Sequence, residues 1–215
     1  FPISDAWYEM NQNEINEFIQ ALSDGKVCIH PSDTLPSLTF HPHNRSAFER
    51  ICNIKKRVPA KPFIGLVPSL EQAQRYWLPL PPIWVKRLEL LWPGPLSVVW
   101  KGGAVAPPYL TCSRGNLALR SPIWGSTMDW MPSLLGALDF PLPTTSINIS
   151  SQNPQVNWEG AIKFATRNSV YIPQLSSLPQ FDVALASTVI LLHEDGGYQC
   201  LREGAFPLKK IDDIS

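Results

Sequence analysis

The alternation of helical and strand-like hydrophobic patterns constrains the fold of this chain more than any other feature. In the segment NEINEFIQALSDG, apolar side chains recur at the spacing of one helix face, at Ile15, Phe18, Ile19 and Leu22. Gly25 follows where glycine commonly ends a helix, and the β-prone segment KVCIHPSDT begins at the next residue. The pattern predicts an amphipathic helix that leads directly into a short strand, which Pro31 ends.

The same alternation continues along the rest of the chain. Further helices are predicted in SAFERICNIKK, SLEQAQRYW, PPIWVKRLELLW and WEGAIKFATR. Further strands are predicted in KPFIGLVP, LSVVW, NLALRSP, LPTTSINIS, FDVALASTVILL and YQCLREGAF, the last two as a pair. Ser46 with Glu49 and Ser69 with Gln72 have the spacing of capping boxes. Because helices and strands mix without a strict strand-helix-strand rhythm, we expect an α/β or α+β domain around a mixed sheet.

Length, composition and charge limit the classes of protein to which the chain can belong. With 215 residues, of which 44% are apolar, it can bury a core as one domain over residues 1–215, with the core at about 12–208. The 18 basic and 18 acidic side chains cancel, so any anion site must be local.

The cysteines and the apolar runs bear on the compartment. The four cysteines are far apart and form no zinc pattern, which is typical of reduced thiols. No apolar run approaches the roughly 18 residues of a membrane span, and the N-terminal segment lacks a signal-peptide pattern. We therefore expect a cytoplasmic protein that does not enter a membrane.

Positive charge is concentrated in the segment ICNIKKRVPAKP. Lys55, Lys56, Arg57 and Lys61 fall within seven positions that contain no carboxylate. Three hydroxyl-rich segments lie at the ends of apolar strands: PSDT (31–34), TTSINIS (144–150) and ASTV (186–189). Phosphate recognition combines cations with hydroxyl donors, so these segments are candidates for an anion site. Each also has an ordinary explanation, since cations commonly end helices and Ser/Thr runs commonly form turns.

Seven short motifs along about nine tenths of the chain occur in a familiar order. They are LSDGKVCIHPSDTLPSL, ICNIKKRVPAKPF, WPGPLSVVW, LALRSP, TSINISS, STV and REGA. Together they resemble the YrdC-like domain family, whose helix-Gly-strand opening precedes P-T-D-T-x-Y-G-L. The later family motifs are I-x-x-I-K-x-R-P-x-x-K-P-L, P-G-P-x-T, A-x-R-x-P, T-S-A-N-x-S-G, S-T-V and R-x-G-A. Any one of these strings is weak evidence, but seven in the same order are strong evidence.

The resemblance implies a single domain with a twisted mixed β-sheet, flanking helices and a large, concave, positively charged cavity. Established family members are threonylcarbamoyl-AMP synthases, nucleotidyltransferases that condense L-threonine and bicarbonate with ATP and release pyrophosphate. The product, threonylcarbamoyl adenylate, serves a downstream threonylcarbamoyl transferase that modifies adenosine 37 of certain tRNAs. The resemblance therefore implies ATP with Mg²⁺, L-threonine and bicarbonate as ligands.

The resemblance also assigns roles to single residues. The family signatures K-x-R and S-x-N correspond to Lys55, Arg57, Ser146 and Asn148, which would hold the triphosphate and the reacting carboxyl group. The remaining contacts are assigned to Thr34 and Arg120 for the substrate and to Lys61, Ser187 and Arg202 for the nucleotide. Negative charge builds on the phosphate oxygens during the reaction, so cations and Mg²⁺ would stabilise it without a covalent nucleophile. The four histidines form no triad or metal pattern, and no protein side chain is assigned to metal.

The sequence departs from the family pattern in two motifs. Pro36 and Ser37 stand where the family has Tyr-Gly, so an aromatic hydroxyl is missing and a proline fixes the backbone. Ile147 replaces a small residue and Ser151 replaces a glycine. Two hypotheses stay open: a threonylcarbamoyl-AMP synthase, and a paralogue that binds nucleotide or double-stranded RNA without this activity. A domain with a vestigial cavity is the third outcome.

Overall fold

A computed structural model describes residues 12–57, 63–123, 130–150, 152–175 and 185–214, with Trp130 described by its backbone alone. Its helices are α1 (Gln12–Ser23), α2 (Arg45–Lys55), α3 (Leu70–Tyr76), α4 (Pro82–Leu91), α5 (Trp130–Ala137), α6 (Trp158–Arg167) and α7 (Lys209–Asp212). Its strands are β1 (Cys28–His30), β2 (Ser37–Thr39), β3 (Ile64–Leu66), β4 (Leu96–Lys101), β5 (Asn116–Arg120), β6 (Leu142–Ser146), β7 (Thr188–Leu192) and β8 (Tyr198–Arg202).

The strands of the described part form one eight-stranded sheet in the order β1-β2-β6-β3-β5-β4-β7-β8. The pairs β3/β5 and β4/β7 are parallel, and the other neighbours are antiparallel. This sheet is mixed and flanked by helices, which confirms the expected fold class. Within the described residues, no helix combines the length and the apolar character of a membrane span.

Helices cover both faces of the sheet, but unequally. The larger hydrophobic cluster joins strand residues to α2, α4 and α6, with Ile51, Trp84 and Ala161 among its buried members. The smaller cluster joins α1 and α5 to a few strand residues. Cys28 belongs to the smaller cluster and its neighbour Ile29 to the larger one, as expected for side chains that alternate along a strand. Among the described residues, the face toward α1 and α5 therefore buries fewer apolar side chains.

Most predicted elements are present, and their limits follow from capping. α3 begins at the predicted cap, where Ser69 accepts a hydrogen bond from the Gln72 amide at 3.2 Å. The predicted cap of α2 at Ser46 is wrong, because Asn44 caps this helix by accepting from the Ala47 amide at 2.9 Å. Glu49, the expected partner of Ser46, instead accepts from Arg45 at 2.7 Å.

Three elements and one position differ from the sequence prediction. β2, α5 and α7 were not predicted, and all three are short. The hydroxyl segment ASTV lies at the beginning of its strand, because β7 starts at Thr188.

The glycine predicted to follow α1 is confirmed in its role, since Gly25 has a φ of +77° that other residues adopt at a cost.

Candidate active site

A row of polar side chains crosses the face of the sheet toward α1 and α5. The register pairs His30 of β1 with Ser37 of β2, and Ser37 with Ser146 at the end of β6. Register partners project to the same face of a sheet, so these three side chains lie in one row. Thr144 projects to the same face, because it lies two residues before Ser146 on β6. The predicted catalytic serine is therefore on the face that buries fewer apolar side chains.

Four predicted residues meet at the end of β6 and are called the Lys55 cluster: Lys55, Arg57, Ser146 and Asn148. Lys55 is the last residue of α2 and only 2% exposed. Its ammonium donates to the Ser146 carbonyl, to the Asn148 carbonyl at 3.0 Å and to Asn148 Oδ1 at 2.9 Å. Ser146 Oγ donates to the same Asn148 Oδ1 at 2.8 Å. The sequence signatures K-x-R and S-x-N are thus joined directly in space.

Within this cluster, Arg57 is held by an aromatic ring and a hydroxyl group. Its guanidinium lies 4.4 Å from the centre of the Phe63 ring and donates to Thr145 Oγ1 at 3.3 Å. Burial lowers the pKa of Arg57 to about 10, with a smaller opposing effect from Cys52. The side chain therefore stays charged at neutral pH, and its orientation is restricted before any ligand arrives.

Residues 31–36, which we call the strap, connect β1 to β2 and are tied together by Ser32. Ser32 Oγ accepts from the amides of Thr34 and Leu35 at 3.3 and 3.2 Å and donates to the Leu35 carbonyl at 2.7 Å. The hydroxyl of Thr34 lies 3.1 Å from Ser32 Oγ, and both residues are buried. The first hydroxyl of PSDT thus stabilises the strap itself.

The strap is also bound to β5 by a buried ion pair. Arg120 Nη1 lies 2.8 Å from Asp33 Oδ1 and donates to Oδ2 at 2.9 Å, and the side chains are 2% and 5% exposed. Asp33 Oδ2 also accepts from the Ile123 amide at 3.0 Å. Asp33 Oδ1 and Arg120 Nε have no hydrogen-bond partner among the described residues. Arg120, predicted to contact substrate, is therefore already engaged by a carboxylate.

Ser187 and Arg202 lie at the same end of the sheet as Arg120. Arg202 donates to the Ser187 carbonyl through Nε at 3.1 Å and Nη2 at 2.7 Å, and to Ser187 Oγ at 3.2 Å. Gly204 lies so close to the backbone of residues 186 and 187 that a Cβ there would be 2.2 Å from the Ala186 carbonyl oxygen. Burial, and then the charge of Arg120, lower the pKa of Arg202. We call Asp33, Arg120, Ser187 and Arg202 the Arg120 cluster.

The two clusters lie at opposite ends of the central strands. Ile64 pairs with Thr144, and Leu66 pairs with both Leu142 and Arg120. Ser146 lies two residues beyond Thr144, so it is separated from the Arg120 end by four residues along the strand direction. At about 3.3 Å per residue this is roughly 13 Å. A single ligand that reached both clusters would have to be extended.

The described side chains do not fit a magnesium site built by the protein. Magnesium prefers carboxylates together with phosphate oxygens and water. Asp33, the carboxylate of the two clusters, is neutralised by Arg120, and the described residues contain no group of three His, Cys, Asp or Glu that could hold a metal. An accompanying Mg²⁺ would have to be held by the triphosphate.

The structure places the other predicted residues less completely. Lys61 and Ser151 lie outside the described residues. Ile147 is fully buried in the larger hydrophobic cluster, so the apolar replacement points away from the polar row. His30, which the sequence left without a role, is 1% exposed in this row. No sequence signal identifies it, since it forms no motif with another histidine.

Two cavities of about 310 and 130 Å³ occur in the described part of the chain, and neither is lined by the two clusters. The larger lies beside Lys26, Arg50 and Tyr171, and the smaller beside Tyr76 and Phe140. The large positively charged cavity implied by the resemblance therefore stays a prediction.

Comparison with known proteins identifies relatives of this chain. The Sua5/YciO/YrdC family model, described as "Telomere recombination", matches residues 20–204. The threonylcarbamoyl-AMP synthase of Halorhodospira halophila is 29% identical over 133 residues, which are 62% of this chain and 68% of that protein.

Solved structures share the fold. P. abyssi Sua5 complexed with L-threonine has a TM-score of 0.80 at 23% identity, over 96% of this chain and 58% of that one. This chain thus spans less than two thirds of that protein. E. coli YciO has a TM-score of 0.77 at 22% identity, over 94% of this chain and 95% of that one.

Proposed function

Because this chain belongs to the Sua5/YciO/YrdC family, we propose that it is a nucleotidyltransferase of the threonylcarbamoyl-AMP synthase type. It condenses L-threonine, bicarbonate and ATP to threonylcarbamoyl adenylate and pyrophosphate. The observation that carries the proposal is the Lys55 cluster, in which the K-x-R and S-x-N signatures contact each other at the end of β6. The naming of relatives as threonylcarbamoyl-AMP synthases supports the same reaction.

The chemistry needs positioned charge at one phosphorus atom. The amine of threonine and bicarbonate form a carbamate with loss of water. A carbamate oxygen then attacks the α-phosphorus, the bond from that phosphorus to the bridging oxygen breaks, and pyrophosphate leaves. Arg57 supplies a guanidinium with a fixed orientation to the oxygens that gain negative charge, which is the main source of acceleration in phosphoryl transfer.

Lys55 contributes in a different way from Arg57. An ammonium group has three N–H donors, and the Ser146 carbonyl, the Asn148 carbonyl and Asn148 Oδ1 accept from it. Lys55 therefore holds residues 146–148 in place, and its positive charge acts on a ligand across these residues. Ser146 Oγ is the group of this cluster that can turn from Asn148 Oδ1 to a phosphate or carbamate oxygen.

The amino-acid substrate is assigned to the strap and the Arg120 cluster. L-threonine is the ligand of the P. abyssi Sua5 structure, which supports threonine for this chain. Thr34 is the strap residue proposed to contact the substrate, and Arg120 would do so through donors that Asp33 does not use. Ser187 and Arg202 would contact the nucleotide, with Lys61 as a further phosphate contact. The adenylate would pass to a downstream transferase that modifies tRNA.

A second candidate function is favoured by the position of the sequence departure. Ser37 stands between His30 and Ser146 in the polar row, and Pro36 precedes it, so the altered pair directly adjoins the proposed catalytic segment. A paralogue that binds nucleotide or double-stranded RNA without turnover would retain the Lys55 cluster and lose threonine recognition at this position.

One assay separates the two functions. Pyrophosphate is measured with ATP, L-threonine and bicarbonate present, and then with each component omitted in turn. The synthase requires all three, so every omission should abolish release. Release that ignores threonine would assign another acceptor, and absence of release together with measurable ATP binding would favour the paralogue. Absence of both would leave a domain with a vestigial site.

A further inference from the structure

His30 links the two hydroxyl-rich segments of the proposed active site. It is 1% exposed, ends β1 and precedes the first residue of the strap. Its Nδ1 lies 2.7 Å from the Pro31 carbonyl oxygen and its Nε2 lies 3.3 Å from Thr144 Oγ1 on β6. The ring also packs edge-on against Phe18 of α1, with 6.5 Å between ring centres. Both of its nitrogens are therefore used to connect other elements.

The chemistry of the partners determines the tautomer. A carbonyl oxygen can only accept, so Nδ1 must carry the proton in the contact with Pro31. In the neutral ring Nε2 is then an acceptor, and the Thr144 hydroxyl must donate to it. Burial lowers the pKa of His30 to about 4, with an opposing effect from the Pro31 carbonyl and a further lowering by Arg120. The ring is thus neutral at physiological pH, as this arrangement requires.

We propose that His30 is a positioning residue, which ties the strap to β6 and so sets Thr34 relative to Ser146. The role rests on the proposed synthase function. Thr144 lies two residues before Ser146 on the same face of β6, and Pro31 begins the strap that carries Thr34. The connection of Thr144 to Pro31 therefore runs through one imidazole ring. Small displacements of groups that must act together are costly, since about 1 Å can reduce a rate by roughly 10²-fold.

Four variants test this role. His30→Phe keeps the aromatic shape against Phe18 and removes both hydrogen bonds, while His30→Gln restores a donor and an acceptor. Thr144→Val removes the hydroxyl and keeps its volume. His193→Phe is the matched control, because His193 is exposed after the end of β7. Each variant is compared with the parent in threonine-dependent pyrophosphate release, after thermal melting has established the fraction that is folded.

The expected result is a loss in kcat per folded molecule. His30→Phe should lower kcat by about 10-fold to 10²-fold with the KM for ATP unchanged, since the Lys55 cluster itself is intact. Thr144→Val should behave alike, the double variant should be no worse than His30→Phe, and His30→Gln should recover part of the loss. The control should match the parent.

Other outcomes overturn the role in distinguishable ways. An unchanged kcat for folded His30→Phe, or losses that add in the double variant, would show that His30 does not act through Thr144 and the strap. A parent that releases no threonine-dependent pyrophosphate would overturn the proposed function, and this role with it.

Discussion

Lys55 and Arg57 are separated by one residue in the K-x-R signature, yet we expect their side chains to contribute differently to stability and to ATP binding. Replacing Arg57 with Ala removes a positive charge beside Thr145 and should lower ATP affinity at least 10-fold with little change in melting temperature. Isothermal calorimetry with ATP measures this effect. Lys56→Gln is the control, because Lys56 is exposed and its replacement removes a charge of the same sign. Equal ATP binding by Arg57→Ala and the parent would refute the phosphate assignment.

Lys55 should affect stability as well as activity. Lys55→Met removes a donor from the half-buried carbonyls of Ser146 and Asn148, and leaving such polar groups unsatisfied costs up to about 2 kcal/mol. We therefore expect Lys55→Met to lower the free energy of unfolding in urea and to abolish turnover. Replacing a surface lysine would change the free energy of unfolding by no more than about 0.5 kcal/mol. Lys56→Gln again serves as the control. An unchanged urea midpoint would contradict the buried contacts of Lys55.

His30 makes a prediction about pH. Its pKa is about 4 in the folded chain against 6.5 in the unfolded chain, so the unfolded state takes up the proton first as the pH falls. The contribution of His30 is fully present above pH 6.5 and is lost as the pH falls to about 4. The shift corresponds to roughly 3 kcal/mol. The free energy of unfolding in urea should therefore change less between pH 7 and pH 4 in His30→Phe than in the parent. The same change with pH in both proteins would contradict the prediction.

At the scale of elements, the end of β6 concentrates the groups expected to act in the transition state. Ser146→Ala and Asn148→Ala should each lower turnover by roughly 10²-fold, the scale of a lost donor to a developing negative charge. Steady-state kinetics distinguish this from a loss confined to KM, which would mean that the two side chains contribute only to ground-state binding.

The strap gives the prediction for substrate choice. If the tyrosine that the family has at Pro36 helps to fix the amino acid, this chain should bind L-threonine weakly and discriminate poorly against serine and 2-aminobutyrate. The double variant Pro36→Tyr with Ser37→Gly should increase the preference for threonine, with ATP affinity spared. Calorimetry with each ligand measures this. Tight and selective threonine binding by the parent, unchanged in the variant, would show that the departure is neutral.

Elements with strong periodicity were predictable from the sequence, and short or long-range features were not. α1 was predicted because Ile15, Phe18 and Leu22 recur at helical spacing, and all three are buried in the structure. β2 has only three residues and lies directly after a proline, so its alternation is too brief to detect. The order of motifs allowed the resemblance to bring Lys55, Ser146 and Asn148 together. The pairs Asp33 with Arg120 and His30 with Thr144 are 87 and 114 residues apart, and no local pattern encodes either contact.

The balance of positive and negative side chains over the whole chain argues against the RNA-binding alternative. With 18 basic and 18 acidic side chains, the chain has no excess of cations to replace the counterions of a duplex. We expect no binding of double-stranded RNA at physiological salt, measured by fluorescence anisotropy. Tight binding whose affinity falls steeply with salt would favour the paralogue over the synthase.

The unequal covering of the two faces of the sheet affects which substitutions the domain can accept. The larger hydrophobic cluster, which includes Ile51 and Trp84, lies on the face of the sheet opposite His30, Ser37 and Ser146. An exchange at Ser37, the member of the altered pair that lies in the polar row, therefore creates no void in that cluster. Single substitutions of this kind can change the polar groups beside Ser146 and leave the packing of the larger hydrophobic cluster unchanged.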